Sequence, residues 1–99
     1  MARYIHTYNH QNELGVMLEI YADDDFTFKT DTFKNLALEL SLQVAASDPA
    51  ADSNGQEVLS LLNQRYIKDE SINIRDLIHE ADQILKAGIK IKRYIRYKA

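Results

Sequence analysis

Leu14-Gly15-Val16-Met17-Leu18-Glu19-Ile20-Tyr21, followed by Ala22-Asp23-Asp24-Asp25-Phe26-Thr27-Phe28, is the stretch on which the reading of this chain turns. Leu14, Val16, Leu18 and Ile20 alternate cleanly, so a strand over 14–21 places all four on one face. Three carboxylates and two aromatics then interrupt the alternation. Directly after them, Thr30 or Asp31 can cap a helix.

Upstream, Tyr4 to Tyr8 reads as a partner strand. Asn9 to Glu13 is the hairpin loop; it lacks an Asn-Gly pair, so a longer loop is expected. Downstream, the helix runs to about Ser47, with Phe33, Leu36, Ala37, Leu40 and Val44 as a core stripe. Leu38 and Leu42 lie off that stripe, which marks a helix that is sandwiched or part of an interface. Pro49 ends it, and Ala50 to Gln56 reads as a small, polar loop. Val58 to Leu62 reads as a short helix. Asn73 caps a second long one, with Ile72 and Leu77 at hydrophobic-staple spacing. Ile74, Leu77, Ile78, Ala81, Ile84 and Leu85 are expected to face the core. Gly88 stands where a left-handed cap belongs. Ile89 to Tyr97 is the last strand, with Ile89, Ile91 and Ile95 expected inside and Lys90, Lys92, Tyr94, Arg96 and Lys98 outside. The order ββααβ predicts an α+β fold: a three-stranded antiparallel sheet covered by two main helices. At 99 residues the chain is expected to form one domain, residues 1–99, with a modest core that association would help to stabilise.

Residues 13–57 carry ten acidic side chains against Lys29 and Lys34, whereas 58–99 carry nine basic against five acidic. Such a polarised chain can steer toward a charged partner, although solvated faces also account for it. No apolar run reaches membrane-spanning length, and Met1 to His6 has no signal-peptide character. The absence of cysteine removes disulfide and thiolate chemistry and suits a reducing cytoplasm.

Little here resembles catalytic machinery. His6, His10 and His79 accompany no nucleophile elbow. An EF-hand loop starting at Asp23 needs Gly at its sixth position and Glu at its twelfth, but Phe28 and Lys34 stand there. A weak, nonspecific cation site at Asp23-Asp24-Asp25 stays open. Gly15, Gly55 and Gly88 are isolated and form no phosphate loop. The expectation is a binding protein without a cofactor rather than an enzyme. Lysine, arginine and tyrosine on the last strand would suit single-stranded nucleic acid. Protection of a sheet edge is the more ordinary explanation of them.

Three segments taken in order resemble translation elongation factor Ts. Tyr4-Ile5-His6 with Gly15-Val16-Met17-Leu18-Glu19 resembles the opening hairpin of that family's core. Asp23-Asp24-Asp25-Phe26 resembles its Glu-Thr-Asp-Phe signature. Asp31 and Phe33 fit the start of the next helix, and Leu42-Gln43-Val44-Ala45-Ala46-Ser47-Asp48-Pro49 resembles the Met-His-Val-Ala-Ala-Ser-Lys-Pro run. Gln64, Lys68-Asp69 and Ile89 to Tyr97 resemble its closing segment. The resemblance implies a partner, elongation factor Tu, whose nucleotide-binding domain the Asp25-Phe26 pair would enter, disturbing the magnesium region so that GDP leaves. It implies partner-binding residues at Asp23, Asp24, Asp25, Phe26 and Gln43, the last standing where the family has histidine, and it implies a homodimer. The family's N-terminal helical module has no counterpart here, and its coiled-coil insertion shrinks to about Ala50–Gln56. Two other readings stay open: a small nucleic-acid-binding module using the basic last strand, and a structural or Tu-binding homodimer without exchange activity.

Overall fold

The computed structural model describes residues 1–47 and 56–99; the expected stop at Pro49 and most of the expected loop after it lie outside the described residues. The alternation in 14–21 does produce a strand. β2 (Leu14–Ala22) is the middle of a three-stranded antiparallel sheet, with β1 (Ala2–His10) on one side and β5 (Lys90–Lys98) on the other. Val16, Leu18, Ile20 and Ala22 point into the core. Helices cover that face: α1 (Asp31–Ser47) lies over β1 and β2, α2 (Glu57–Asn63) over β5, and α3 (Ile74–Leu85) against α1 and α2. A two-stranded ribbon, β3 (Arg65–Tyr66) with β4 (Asp69–Asn73), lies between α2 and α3 in the chain and adds to the expected order ββααβ. The α+β class and the three-stranded sheet stand, with this ribbon added.

The helices follow their local signals. Thr30 Oγ1 accepts from Phe33 N at 3.2 Å and caps α1, and Phe33, Leu36, Ala37, Leu40 and Val44 are all buried. Asn73 Oδ1 accepts from Asp76 N at 2.8 Å while Asp76 Oδ2 accepts from Asn73 N at 3.2 Å, a reciprocal capping box. The left-handed cap of α3 is Lys86 (φ 51°), not Gly88, although Gly88 also lies at positive φ two residues later. Ile84 is exposed rather than buried. At about 100° per residue it stands roughly 80° from the centre of the stripe formed by Ile74, Ile78, Ala81 and Leu85.

The hairpin loop is shorter than expected. His10 pairs with Leu14, and Gln11 (φ 54°) and Asn12 (φ 59°) both take left-handed backbone, as in a type I′ turn. The turn chemistry comes from asparagine without glycine: Asn9 Oδ1 accepts from Asn12 N at 3.0 Å, and Asn9 Nδ2 donates to Asn12 Oδ1 at 3.1 Å.

The last strand corrects the expected facing. Glu19 pairs with Arg93 but Ile20 pairs with Ile91, so Lys92 is an extra residue in β5. Such a bulge reverses every later side chain. Tyr94 is 7% exposed and its hydroxyl donates to Glu57 O at 3.0 Å, whereas Ile95 is 59% exposed. Arg96 also turns inward and donates to Ala45 O at 3.0 Å. The single outward row of Lys90, Lys92, Tyr94, Arg96 and Lys98 therefore does not exist. In dilute monomer, Tyr94→Ala should lower unfolding free energy by about 3 kcal/mol or more. Ile95→Ala should stay within about 0.5 kcal/mol. Urea titration of the two variants checks the reversal.

On the open face of the sheet, Glu19 lies between two guanidinium groups, with Arg93 Nε at 2.6 Å and Arg3 Nη1 at 3.4 Å. The hydrogen bond from Arg93 is the main reason its carboxyl titrates below the ordinary 4.5. A lowered folded value means that the contribution is complete above 4.5 and disappears as pH falls through the folded value. Glu19→Gln should therefore be less stable than the parent at neutral pH, and the gap should close as pH falls through the folded value of that carboxyl. Urea unfolding across the acid range measures it.

Candidate functional site

β2 ends at Ala22, and the chain then makes a short 3₁₀ helix, Asp25–Lys29, before α1 begins. Asp24 caps that turn: its Oδ1 accepts from Thr27 N at 3.1 Å and from Thr27 Oγ1 at 3.3 Å. Thr27 O in turn accepts from Thr30 N at 3.2 Å and from Thr30 Oγ1 at 2.8 Å. The same Thr30 hydroxyl caps α1, so turn and helix are joined through one side chain.

The two aromatics of the turn diverge. Phe28 is buried, with its ring 5.3 Å from Tyr4 and 4.9 Å from Phe33 between centroids. Phe26 is 74% exposed. An isolated exposed apolar residue is common, but this one stands at the end of a hydrogen-bonded turn among carboxylates. Asp25 is exposed beside it. Asp23, at the base, donates its N–H to Ala87 O at 2.8 Å. Its carboxylate lies over Gly88, where an added Cβ would sit 3.1 Å from Asp23 Oδ1. The structure thus brings Asp23, Asp24, Asp25 and Phe26 into one protrusion with different tasks. Asp24 is spent inside the turn, while Asp25 and Phe26 face outward. Among the described residues no group of three or more His, Asp or Glu converges as a metal site.

Gln43 is elsewhere. It lies twelve residues into α1, about 18 Å along the axis from the protrusion's end of the helix, and it is 1% exposed. Its Nε2 donates to Gln64 Oε1 and Arg65 O, both at 3.0 Å, and its Oε1 accepts from Ile67 N at 3.0 Å. Ser47 Oγ also donates to Gln64 Oε1, at 2.8 Å. The side chain ties α1 to the β3–β4 ribbon, and its polar atoms are engaged within the chain. One turn earlier, Glu39 accepts from Tyr66 OH and from Lys68 Nζ, both at 2.7 Å. Burial pushes the Glu39 carboxyl up, but the bonds from Lys68 and Tyr66 outweigh it and hold the group below its ordinary value. Burial, with Glu39 beside it, pushes the Tyr66 hydroxyl up to about 12. Tyr66 and Glu39 carried no signal in the sequence, because pairing across 27 residues has no local period.

A second surface is the open sheet face. Ile5, Met17, Ile95 and Tyr97 are exposed there, with Thr7, Met17 and Ile95 in register across the three strands. Gly15 pairs with Tyr97, and a Cβ at Gly15 would meet nothing within 4 Å. A hollow of about 430 Å3 opens over it, lined in part by Thr7, Asn9, Met17, Ile95 and Tyr97. Among the described residues, no helix is long and apolar enough to cross a membrane.

No family profile matches the chain. Individual proteins do. Elongation factor Ts of Methylacidiphilum infernorum (isolate V4) is 27% identical over 135 aligned positions, which take in 99% of this chain and 66% of that protein. Elongation factor Ts of Coprothermobacter proteolyticus is 29% identical over 133 positions, with 94% of this chain and 68% of that protein covered. The chloroplastic polyprotein of EF-Ts from Oryza sativa subsp. indica is 28% identical over 94% of this chain but only 12% of its own length. The chain thus spans about two thirds of the length of the two bacterial relatives. The alignments are longer than the chain's 99 residues, so the relatives carry stretches that it does not. Over nearly its whole length the chain is similar to elongation factor Ts, matching part of that protein's length.

Proposed function

We propose that this chain is a binding protein that engages elongation factor Tu through Asp25 and Phe26 and promotes release of GDP. The observation that carries the reading is the exposure of Phe26 at the end of a turn that is capped by Asp24 and joined to α1 by Thr30. An aromatic anchor that is rigid before contact loses little entropy on docking, and such anchors often carry much of an interface's energy. Asp25 brings a carboxylate to the same point. In a nucleotide site, displacing magnesium leaves the diphosphate charge uncompensated, and nucleotide binding weakens. By linkage, returning nucleotide then expels the factor. Gln43 contributes here by positioning the α1–ribbon junction, since its amide is engaged internally. The nucleic-acid reading loses its main support, because the bulge at Lys92 turns Tyr94 and Arg96 inward and Arg93 is bonded to Glu19.

The open sheet face favours a second copy of the chain as an additional partner. It offers both protruding groups, Tyr97, Ile95 and Met17, and a hollow over Gly15 to receive them. Knob and hollow on one face are what a two-fold, isologous contact requires. Two sheets facing one another at about 10 Å would bury both stripes.

Two measurements test these readings. The chain should accelerate release of fluorescent GDP from elongation factor Tu. Phe26→Ala should cost about 2 kcal/mol or more of that effect while leaving stability within about 0.5 kcal/mol. Phe33→Ala, in the core, should instead cost about 3–5 kcal/mol of stability. An unchanged release rate at micromolar protein, with no complex on size exclusion, would sink the exchange reading. Sedimentation equilibrium should give a dimer of the 11.4 kDa chain, and Met17→Lys with Ile95→Lys should return it to monomer. A parent protein that sediments as a monomer removes the sheet-face contact.

A further inference from the structure

We infer that Asp82 and Gly88, on the connection between α3 and β5, are positioning residues that set where the Phe26 tip stands. This rests on the reading of Phe26 as the anchor. The protrusion has two roots. Its C-terminal root is held by Phe28 in the core and by Thr30 on α1. Its N-terminal root, Asp23, has left the sheet, and its N–H goes to Ala87 O at 2.8 Å. Ala22, buried and paired with Ala2, fixes where the strand ends, and the bond to Ala87 O fixes the direction in which Asp23 leaves it.

Asp82 places Ala87. Its Oδ1 accepts from Ala87 N at 3.0 Å and from Ile89 N at 3.4 Å, and its main-chain O accepts from Lys86 N at 2.6 Å. One residue thus organises a connection whose backbone is left-handed at Lys86 and again at Gly88. Gly88 serves the same end. Its φ of 63° disfavours any side chain, and a Cβ would press on the Asp23 carboxylate, at 3.1 Å from Oδ1 and 3.4 Å from Oδ2. The path runs from Asp82 through Ala87 to Asp23, and from there to Asp25 and Phe26. With the bond to Ala87 O released, the chain between the end of β2 and the tip would be free to swing.

The test uses the full chain with elongation factor Tu and fluorescent GDP, together with amide hydrogen exchange followed residue by residue by NMR. Asp82→Ala should speed exchange at the Asp23 amide by about tenfold or more, with α1 and β2 amides unchanged. Stimulated GDP release should fall about tenfold, as expected when a hot-spot anchor is misplaced. Asp82→Asn keeps a side-chain oxygen acceptor and should restore both readouts. Gly88→Ala should reproduce the loss with Asp82 intact, and it decides the matter if Asp82→Ala does not fold. Wild-type release by a variant whose Asp23 amide has lost protection would overturn the inference, and so would an Asp23 amide still protected in both variants. A parent chain that releases no GDP counts against the functional reading instead. The positioning then stands or falls on Asp23 protection and on the amide shifts of residues 24–27.

Discussion

Phe28 is wedged between Tyr4 of β1 and Phe33 of α1, and the arrangement of the acidic turn follows from that contact. In a 3₁₀ helix three successive residues divide the circle, about 120° from one another. With Thr27 and Phe28 both turned to the core, Phe26 must then face away. Burying a phenylalanine is worth roughly 1.5–3 kcal/mol, and the aromatic neighbours add to this by tilted ring contacts. Phe28 takes the inward place, Thr27 is buried beside it, and Phe26 is left in solvent. Its exposure is thus enforced by the packing of its neighbour. The same cluster joins the edge strand, the turn and the helix, so a displaced Phe28 would disturb all three.

The other end of α1 is organised by polar groups. Arg65 O and Ile67 N belong to the ribbon backbone and both point at Gln43. A leucine of similar size there would leave an unpaired carbonyl and an unpaired N–H, each costing about 1–3 kcal/mol when buried. A carboxamide offers a donor and an acceptor on one planar group and satisfies both. This explains why a polar residue is fully buried on α1, with Glu39 and Ser47 one turn to either side, and why Gln64 and Ser47 close around it.

Much of this architecture was legible because it is periodic. Leu14 to Ile20 and Phe33 to Val44 repeat at the strand and helix periods, and the caps at Thr30 and Asn73 are local chemistry. The protrusion was legible as a cluster, since carboxylates beside aromatics fit neither period. The division of labour inside it was not: nothing in Asp23-Asp24-Asp25 says that the middle carboxylate turns back on Thr27. Gln43 stood out, but its burial depends on a ribbon more than twenty residues away. The bulge at Lys92 was invisible for a related reason. Ile89, Ile91, Lys92, Arg93 and Ile95 read naturally as an unbroken alternation, and one extra residue reverses it only because Glu19 pairs with Arg93 while Ile20 keeps Ile91. Register is a property of two strands, and a single strand's pattern does not contain it.

The proposed exchange function places a specific demand on this geometry. A contact made equally with the nucleotide-bound and nucleotide-free forms of a partner raises affinity but displaces nothing. Only a group whose fit differs between the two forms contributes to coupling, and a tenfold effect on nucleotide affinity needs about 1.4 kcal/mol of difference. A tip that could bend would adapt to either form and lose that difference. The protrusion described here is fixed at both roots, by Ala87 O on one side and by Phe28 and Thr30 on the other. On the proposed function, misfit against an occupied nucleotide site would therefore fall on the partner rather than on the turn. On the same proposal, surfaces remote from the tip, such as the open sheet face, would set how tightly or in what oligomeric form the chain binds, whereas the stiffness of a few residues around Phe26 would set whether nucleotide leaves.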